Sequence, residues 1–287
     1  MRWAGRRESG NIEDRRGLST GGVVAGGGLG TVVLLLLALF FGVDPRALLE
    51  EGGPPPDGGG TVRRQTDPNE DKLKQFTAVV LADTEDVWND LLPRTVRKQY
   101  TNPTVVVFSG STQSACGSAS AATGPFYCPS DQKVYLDLQF FEEMARRFRA
   151  AGDFAEAYVV AHEIGHHVQD IMGVLNEVHG RRGRVSNADY NRLSVRLELQ
   201  ADFLAGVWAH HAQKAKDFLE PGDIDEALNA ANAIGDDRLQ KQAQGYVVPD
   251  SFTHGTSAQR ARWFRLGFET GDMSHAMDLF KLDYGQL

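Results

Sequence analysis

Apolar residues fall along this chain in three kinds of pattern, and each predicts a different element. The first is an unbroken run. Residues 17–43 carry no charge, and the core from Val23 to Val43 is built from Val, Leu, Ala, Gly and Phe, enough for a helix across roughly 30 Å of hydrocarbon. A transmembrane helix is expected here, and Gly22, Gly26 and Gly30 fall at the spacing of a helix-pairing face. Arg2, Arg6, Arg7, Arg15 and Arg16 precede the run, whereas Arg46 alone follows it before Arg63 and Arg64. The positive-inside rule therefore predicts a cytoplasmic tail over residues 1–16 and a single-pass protein of the cell membrane, with the remaining chain outside. A cleaved signal peptide is the alternative, but no small-residue cleavage site of the A-x-A kind follows the run. Residues 44–68, with Gly52-Gly53-Pro54-Pro55-Pro56 at their centre, read as a flexible linker, and residues 69–287 as the domain it tethers.

The second pattern has the helical period. Phe76, Val79, Val80, Val87, Trp88 and Leu91 predict a helix over 72–92. Another is expected over 140–148, and a third from a capping box of Asp153 and Glu156 through the apolar residues 154–160. A longer one starts at Ser186 or Asn187 and carries Leu193, Leu197, Phe203, Leu204, Val207 and Trp208. Asp223 with Glu226 and Thr256 with Gln259 mark two more, over 224–234 and Ser257–Thr270. The third pattern is short and extended: Thr104–Phe108 reads as a buried strand, and 133–138, with Val134, Leu136 and Leu138 alternating, as a half-buried one. The fold class is thus α+β and mainly helical, with a small sheet.

Composition changes the picture in two respects. A net charge of −8, a pI near 5.5 and no basic stripe argue against nucleic acid as a partner. Cys116 and Cys128 enclose a short segment. In an exported domain they read as a disulfide, worth about 3 kcal/mol in the chain-entropy account; two reduced thiols are the alternative, and no further Cys completes a metal set.

Candidate chemistry sits in the third helix. His162-Glu163-Ile164-Gly165-His166 places two imidazoles four residues apart on one helical face, close enough to share a divalent ion. Glu163 lies about 100° around the helix, where a carboxylate reaches a metal-bound water without being a ligand. Gly165 predicts close approach of another backbone or a ligand at that turn. A catalytic site needs one more protein ligand and an open position, and Glu198 offers the ligand. Asp202, four residues on, faces the same way and would accept the outer N–H of a ligating histidine. A solvated acidic edge is the plainer reading of that pair, opposed by the Leu, Ala and Phe around it.

His162-Glu163-x-x-His166 followed by Glu198-x-x-x-Asp202 resembles the gluzincin branch of zinc metallopeptidases. More narrowly, the chain resembles the membrane-anchored bacterial "Putative neutral zinc metallopeptidase" family. The likeness rests on the Arg-rich start, Ala115-Cys116-Gly117, Gly124-Pro125-Phe126-Tyr127-Cys128-Pro129, Val134-Tyr135-Leu136-Asp137-Leu138, the two metal helices and His254-Gly255-Thr256-Ser257-Ala258-Gln259-Arg260. It implies a zincin-like fold, peptidase chemistry on a peptide or protein substrate, and an edge strand that pairs with extended peptide, a role assigned to residues 134–138.

One zinc ion per chain, held by His162, His166 and Glu198, suits this donor set, though manganese or iron would accept the same ligands. Glu163 is the expected general base. His254 is the candidate oxyanion donor with Tyr246 in reserve, set against the plainer reading of His254 as a loop or capping histidine. His167, His210 and His211 read as structural. A membrane-anchored zinc peptidase is the leading function. A catalytically inactive, zinc-stabilised binding or assembly module of the cell envelope is the main rival, and a zinc hydrolase of non-peptide bonds the third. Substrate identity and oligomeric state lie beyond the sequence.

Overall fold

The computed structural model describes residues 1–17, 67–120, 123–148 and 152–287. The transmembrane helix, the glycine pairing face and the linker expected from the sequence fall outside these residues. Among the described residues no helix is long and apolar enough to cross a membrane.

Four strands make the main sheet, in the order β1 (Ile12–Asp14), β2 (Thr104–Phe108), β6 (Lys133–Asp137), β5 (Phe126–Cys128). β1, β2 and β6 run parallel, and β5 is antiparallel at the far edge. Val105, Val106 and Val107 are all fully buried, as a strand covered on both faces must be. Val105 and Val107 face the main helical core; Val106, Phe108 and Tyr135 face a smaller cluster with Ala119 and Cys128. That second face is covered by the hairpin of β3 (Ser111–Ser114) and β4 (Gly117–Ser120). The expected disulfide joins Cys116 in the hairpin turn to Cys128 in β5, with Cα atoms 5.8 Å apart.

The helices are α1 (Pro68–Thr95), α2 (Gln139–Phe148), α3 (Asp153–Met172), α4 (Val174–His179), α5 (Asn187–Lys216), α6 (Asp223–Ala233), α7 (Asp236–Gln244) and α8 (Ser257–Thr270). The core is the meeting of α3, α5 and α8 beneath the sheet. α5 and α8 touch backbone to backbone. A β-carbon at Gly206 would collide with the Phe264 carbonyl, and one at Gly267 with the Phe203 carbonyl. Gly206→Ala must therefore push two helices apart and is expected to cost about 3 kcal/mol, the top of the usual overpacking range. Denaturant unfolding of the purified protein measures it, and an unchanged midpoint would show that the helices separate freely.

Three expectations need correction. Residues 1–16 are not a tail apart from the domain: β1 pairs with β2 in register Ile12–Val105, Glu13–Val106 and Asp14–Val107. The arginines that look like a topology signal are each partnered by a carboxylate. Arg2 meets Asp217 (3.0 Å), Arg6 meets Asp83 (2.6 Å), Arg7 meets Asp86 (2.6 Å), Arg15 meets Glu13 (2.7 Å) and Arg16 meets Asp14 (2.7 Å) and Asp71 (2.8 Å). Asp83 is buried and shared with Lys216, and stripping a partner from such a carboxylate costs about 3–5 kcal/mol.

Secondly, 134–138 is not an edge strand, because β6 lies between β2 and β5 and both its sides are paired. Among the described residues the free edge near the helices is β5. Thirdly, two expected capping boxes are not made. Asp153 and Asp223 instead receive the α-amino group of Met1 (2.6 and 3.3 Å), while Glu226 caps α3 by accepting from the Phe154 N–H (3.1 Å). The Thr256–Gln259 box and the Ser186 cap form as expected.

Candidate metal centre

Helical phase puts His162 and His166 on one face of α3, and the α3–α5 crossing decides what they meet. At that crossing a β-carbon on Gly165 would lie 3.0 Å from the Ala201 carbonyl oxygen, so glycine allows the close approach the sequence pointed to. Glu198, one turn before Ala201, is thereby carried to both imidazoles. His162 Nε2 lies 3.2 Å from Glu198 Oε2, and His166 Nε2 lies 3.6 Å from Glu198 Oε1. The two rings stand edge to face, 4.9 Å apart at 87°.

These spacings fit a metal. Zinc bonds of 2.0–2.2 Å in tetrahedral geometry separate ligand atoms by roughly 3.3–3.6 Å, close to both distances. Among the described residues the cluster has three members, His162, His166 and Glu198, with their ligand atoms within 4.8 Å of one another. A second cluster, Asp153, Asp223 and Glu226, differs in kind: the Met1 ammonium already lies against two of its carboxylates.

The far nitrogen of each imidazole is held by an acceptor. His162 Nδ1 donates to Asp202 Oδ1 (2.8 Å), and His166 Nδ1 donates to Gln169 Oε1 (2.8 Å). The Gln169 amide is oriented in turn by donating to the Leu197 carbonyl (2.6 Å) and to Gln200 Oε1 (3.1 Å). With Nδ1 of each ring held by an acceptor, Nε2 is the nitrogen turned to the shared point, and losing its proton leaves the tautomer a ligand requires. Asp202 has no exposure and is gripped from below. Arg260 donates from Nε to Oδ2 (2.8 Å) and from Nη2 to Oδ1 (2.9 Å), and the Tyr158 hydroxyl donates to Oδ1 (2.5 Å).

Charge follows this geometry. Burial pushes His162 down, but the charge and hydrogen bond of Asp202, with Glu198, outweigh it and hold the imidazole up at about 9 when no metal competes. Burial pushes Asp202 up, and Arg260 and His162 together bring it down to about 2. Glu198 is likewise drawn well below the usual carboxylate range by the two histidines, against burial.

Glu163 is 8 % exposed and close enough to His166 for its charge to favour the imidazolium. His254 is half exposed on the loop before α8. Its Nδ1 faces Asp236 Oδ1 (3.3 Å), while Asp236 Oδ2 accepts from the backbone N–H of Thr253, His254 and Gly255 (2.7, 2.6 and 3.1 Å). Desolvation lowers His254, but Asp236 and the charge of Glu198 raise it above the ordinary value, so its ring feels the metal cluster. The reserve donor, Tyr246, stands 63 % exposed on the loop after α7. His167, His210 and His211 are each bonded to a backbone carbonyl, His167 through Nε2 to that of Thr101, and His210 and His211 to those of Phe268 and Gly271 at the end of α8.

Sequence reasoning missed Tyr158, Gln169 and Arg260. The first two were findable, since they lie four residues before His162 and three after His166 on the same helix. Arg260 comes from another helix and left no local mark. Arg260→Gln is expected to lower zinc affinity about 10–100-fold, the usual worth of an outer partner, with Arg260→Lys less affected. Competition with a chelator reads this, and equal affinity in all three proteins would assign Arg260 to packing alone.

Two histidines and a carboxylate converging from two crossed helices form, among the described residues, a cluster able to hold a metal ion, with Glu163 on the same helix as the histidines. The chain belongs to the "Putative neutral zinc metallopeptidase" family, whose model matches residues 1–279. It is 49 % identical over 278 residues to the uncharacterized protein YpfJ of Escherichia coli K12, covering 95 % of this chain and 96 % of that one. It is 43 % identical over 220 residues to the uncharacterized protein Rv2575 of Mycobacterium tuberculosis H37Rv, covering 72 % and 71 %. No solved structure matches the chain.

Proposed function

We propose that the protein is a zinc-dependent peptidase of zincin-like design, with one zinc ion held by His162, His166 and Glu198. The observation that carries this reading is the convergence of one ligand atom each from His162, His166 and Glu198 within 4.8 Å of one another, the donor set of a catalytic rather than a structural zinc site. When bound, zinc supplies Lewis acidity, bringing the pKa of a water toward neutrality and polarising the scissile carbonyl. Glu163 accepts the proton of the attacking water on a carboxylate oxygen and releases it to the leaving amine nitrogen. Asp202 and Gln169 keep both histidines in the ligating tautomer. His254, anchored through Nδ1 on Asp236, directs Nε2 toward the developing oxyanion.

Substrate docking falls to β5 rather than 134–138. β5 has a free edge and is bound to α3 through Tyr127, whose hydroxyl donates to Asp170 (2.8 Å), so a peptide paired along it would lie beside the metal helix. The Cys116–Cys128 bridge supports an oxidising compartment outside the cytoplasm for this domain. An inactive zinc-stabilised module is the weaker reading, because a purely structural site is closed by a fourth protein ligand. The test is hydrolysis of an unstructured protein such as casein by the purified full chain, before and after removing metal with a chelator and restoring zinc. Activity that disappears and returns is expected; a chelator-insensitive or absent activity in zinc-loaded protein would reject the peptidase reading.

A further inference from the structure

β1 is an edge strand, but it is tied to the domain on several sides. The Arg15 N–H donates to the Val107 carbonyl (2.8 Å) and the Val105 N–H to the Asn11 carbonyl (2.9 Å). Ser9 is buried, and its hydroxyl donates to Glu85 (2.6 Å), which also receives the Asn11 amide (2.7 Å). The points where the chain leaves this body at Gly17 and returns at Asp67 are tied together. The Arg16 side chain, 2 % exposed, reaches Asp71 on the first turn of α1, and Lys74 reaches back to Asp14 (3.1 Å).

We propose that residues 1–16 are an integral strap of the metal domain, so that both flanks of residues 18–66 lie on the same side of any bilayer the protein meets. A single crossing between Gly17 and Asp67 would put β1 and β2 on opposite sides of the hydrocarbon, where the three paired positions of their register could not meet. Positive-inside counting treats the five arginines as free charges. Here Arg2, Arg6, Arg7 and Arg16 are neutralised by Asp217, Asp83, Asp86 and Asp71 of the folded body, and Arg15 by Glu13 within the strap, so their pull on orientation is weakened once the strap has docked. If the domain lies outside the cytoplasm, the N-terminal strap lies there with it.

Two single-cysteine variants of the full chain test this, Ala4→Cys on the strap and Ala215→Cys near the end of α5, both at exposed positions. Spheroplasts expressing each are treated with a membrane-impermeant maleimide before and after lysis; the native cysteines are bridged. Both variants are expected to react fully before lysis. Both reacting only after lysis would sustain the one-sided arrangement and overturn the extracytoplasmic placement instead. One reacting before lysis and the other only after would overturn the proposal. Hydrogen exchange on the detergent-purified full chain gives the second arm: residues 12–15 are expected to exchange at least a hundredfold more slowly than a free peptide, and exchange at the free rate would overturn the strap. Neither readout depends on zinc or turnover, so their failure leaves the peptidase reading standing.

Discussion

Replacing Glu163 by Gln is expected to lower peptide hydrolysis by roughly a hundredfold to ten-thousandfold while leaving zinc in place. The amide matches the carboxylate in shape but cannot take up the proton of the attacking water. Glu163 stands outside the ligand set, although its charge reaches His166, so its loss should not open the metal site. Two measurements are needed on the same preparation: zinc content by elemental analysis and turnover of a protein substrate. Full zinc with lost turnover is the expected pair. Full zinc with unchanged turnover would remove Glu163 from the chemistry, and loss of both would show that it supports the metal instead. Glu163→Asp, whose carboxylate is drawn back by one methylene, should fall between wild type and Gln.

Removing a ligand has the second large effect. His166→Ala or Glu198→Ala is expected to weaken zinc by more than the roughly 10–100-fold that an outer partner is worth. Proton linkage adds a pH signature. In the metal-free protein the folded-state pKa of His162 is raised to about 9, against roughly 6.5 in the unfolded chain. The stability this contributes is full below the unfolded value and disappears as pH rises through about 9. Zinc requires the same imidazole neutral, so below that pH binding must release its proton, and affinity should climb toward about 9, up to roughly tenfold per pH unit for each proton released. The melting-temperature gain from buffered zinc should therefore grow between pH 6 and 9. A gain that stays flat across that range would mean that His162 is not protonated in the metal-free site, or is not a ligand. Glu198→Ala should lose the gain at every pH.

The comparison of α3 and α5 shows where sequence information reaches. The i, i+4 phase of His162 and His166 is a property of one helix, and so is that of Glu198 and Asp202; both were legible because a helix repeats every 3.6 residues whatever surrounds it. The gap at Gly165 was legible for the same reason, as a missing side chain in an apolar helix. β2 and β6 could be read from their own runs, and the Cys116–Cys128 bridge was favoured by its spacing and the expected compartment. The order of the sheet could not be read. β5 is only three residues long, and its pairing outside β6 is what makes β6 an inner strand.

What the sequence by itself determined is therefore the helical phase of the two histidines and of the Glu198–Asp202 pair and the class of chemistry those residue types permit, since each depends on residues a few positions apart; the α3–α5 crossing brought the two pairs together. Tertiary structure alone decided that Arg260 would grip Asp202 from a third helix, that Glu226 would cap α3 in place of a local box, and that the first sixteen residues would join the sheet. The reason is that an ion pair or a strand pairing is settled by a partner elsewhere in the chain. A cluster of arginines ahead of an apolar run looks the same whether its partners are water and lipid headgroups or Asp83, Asp86 and Asp217, and only folding brings those carboxylates to it.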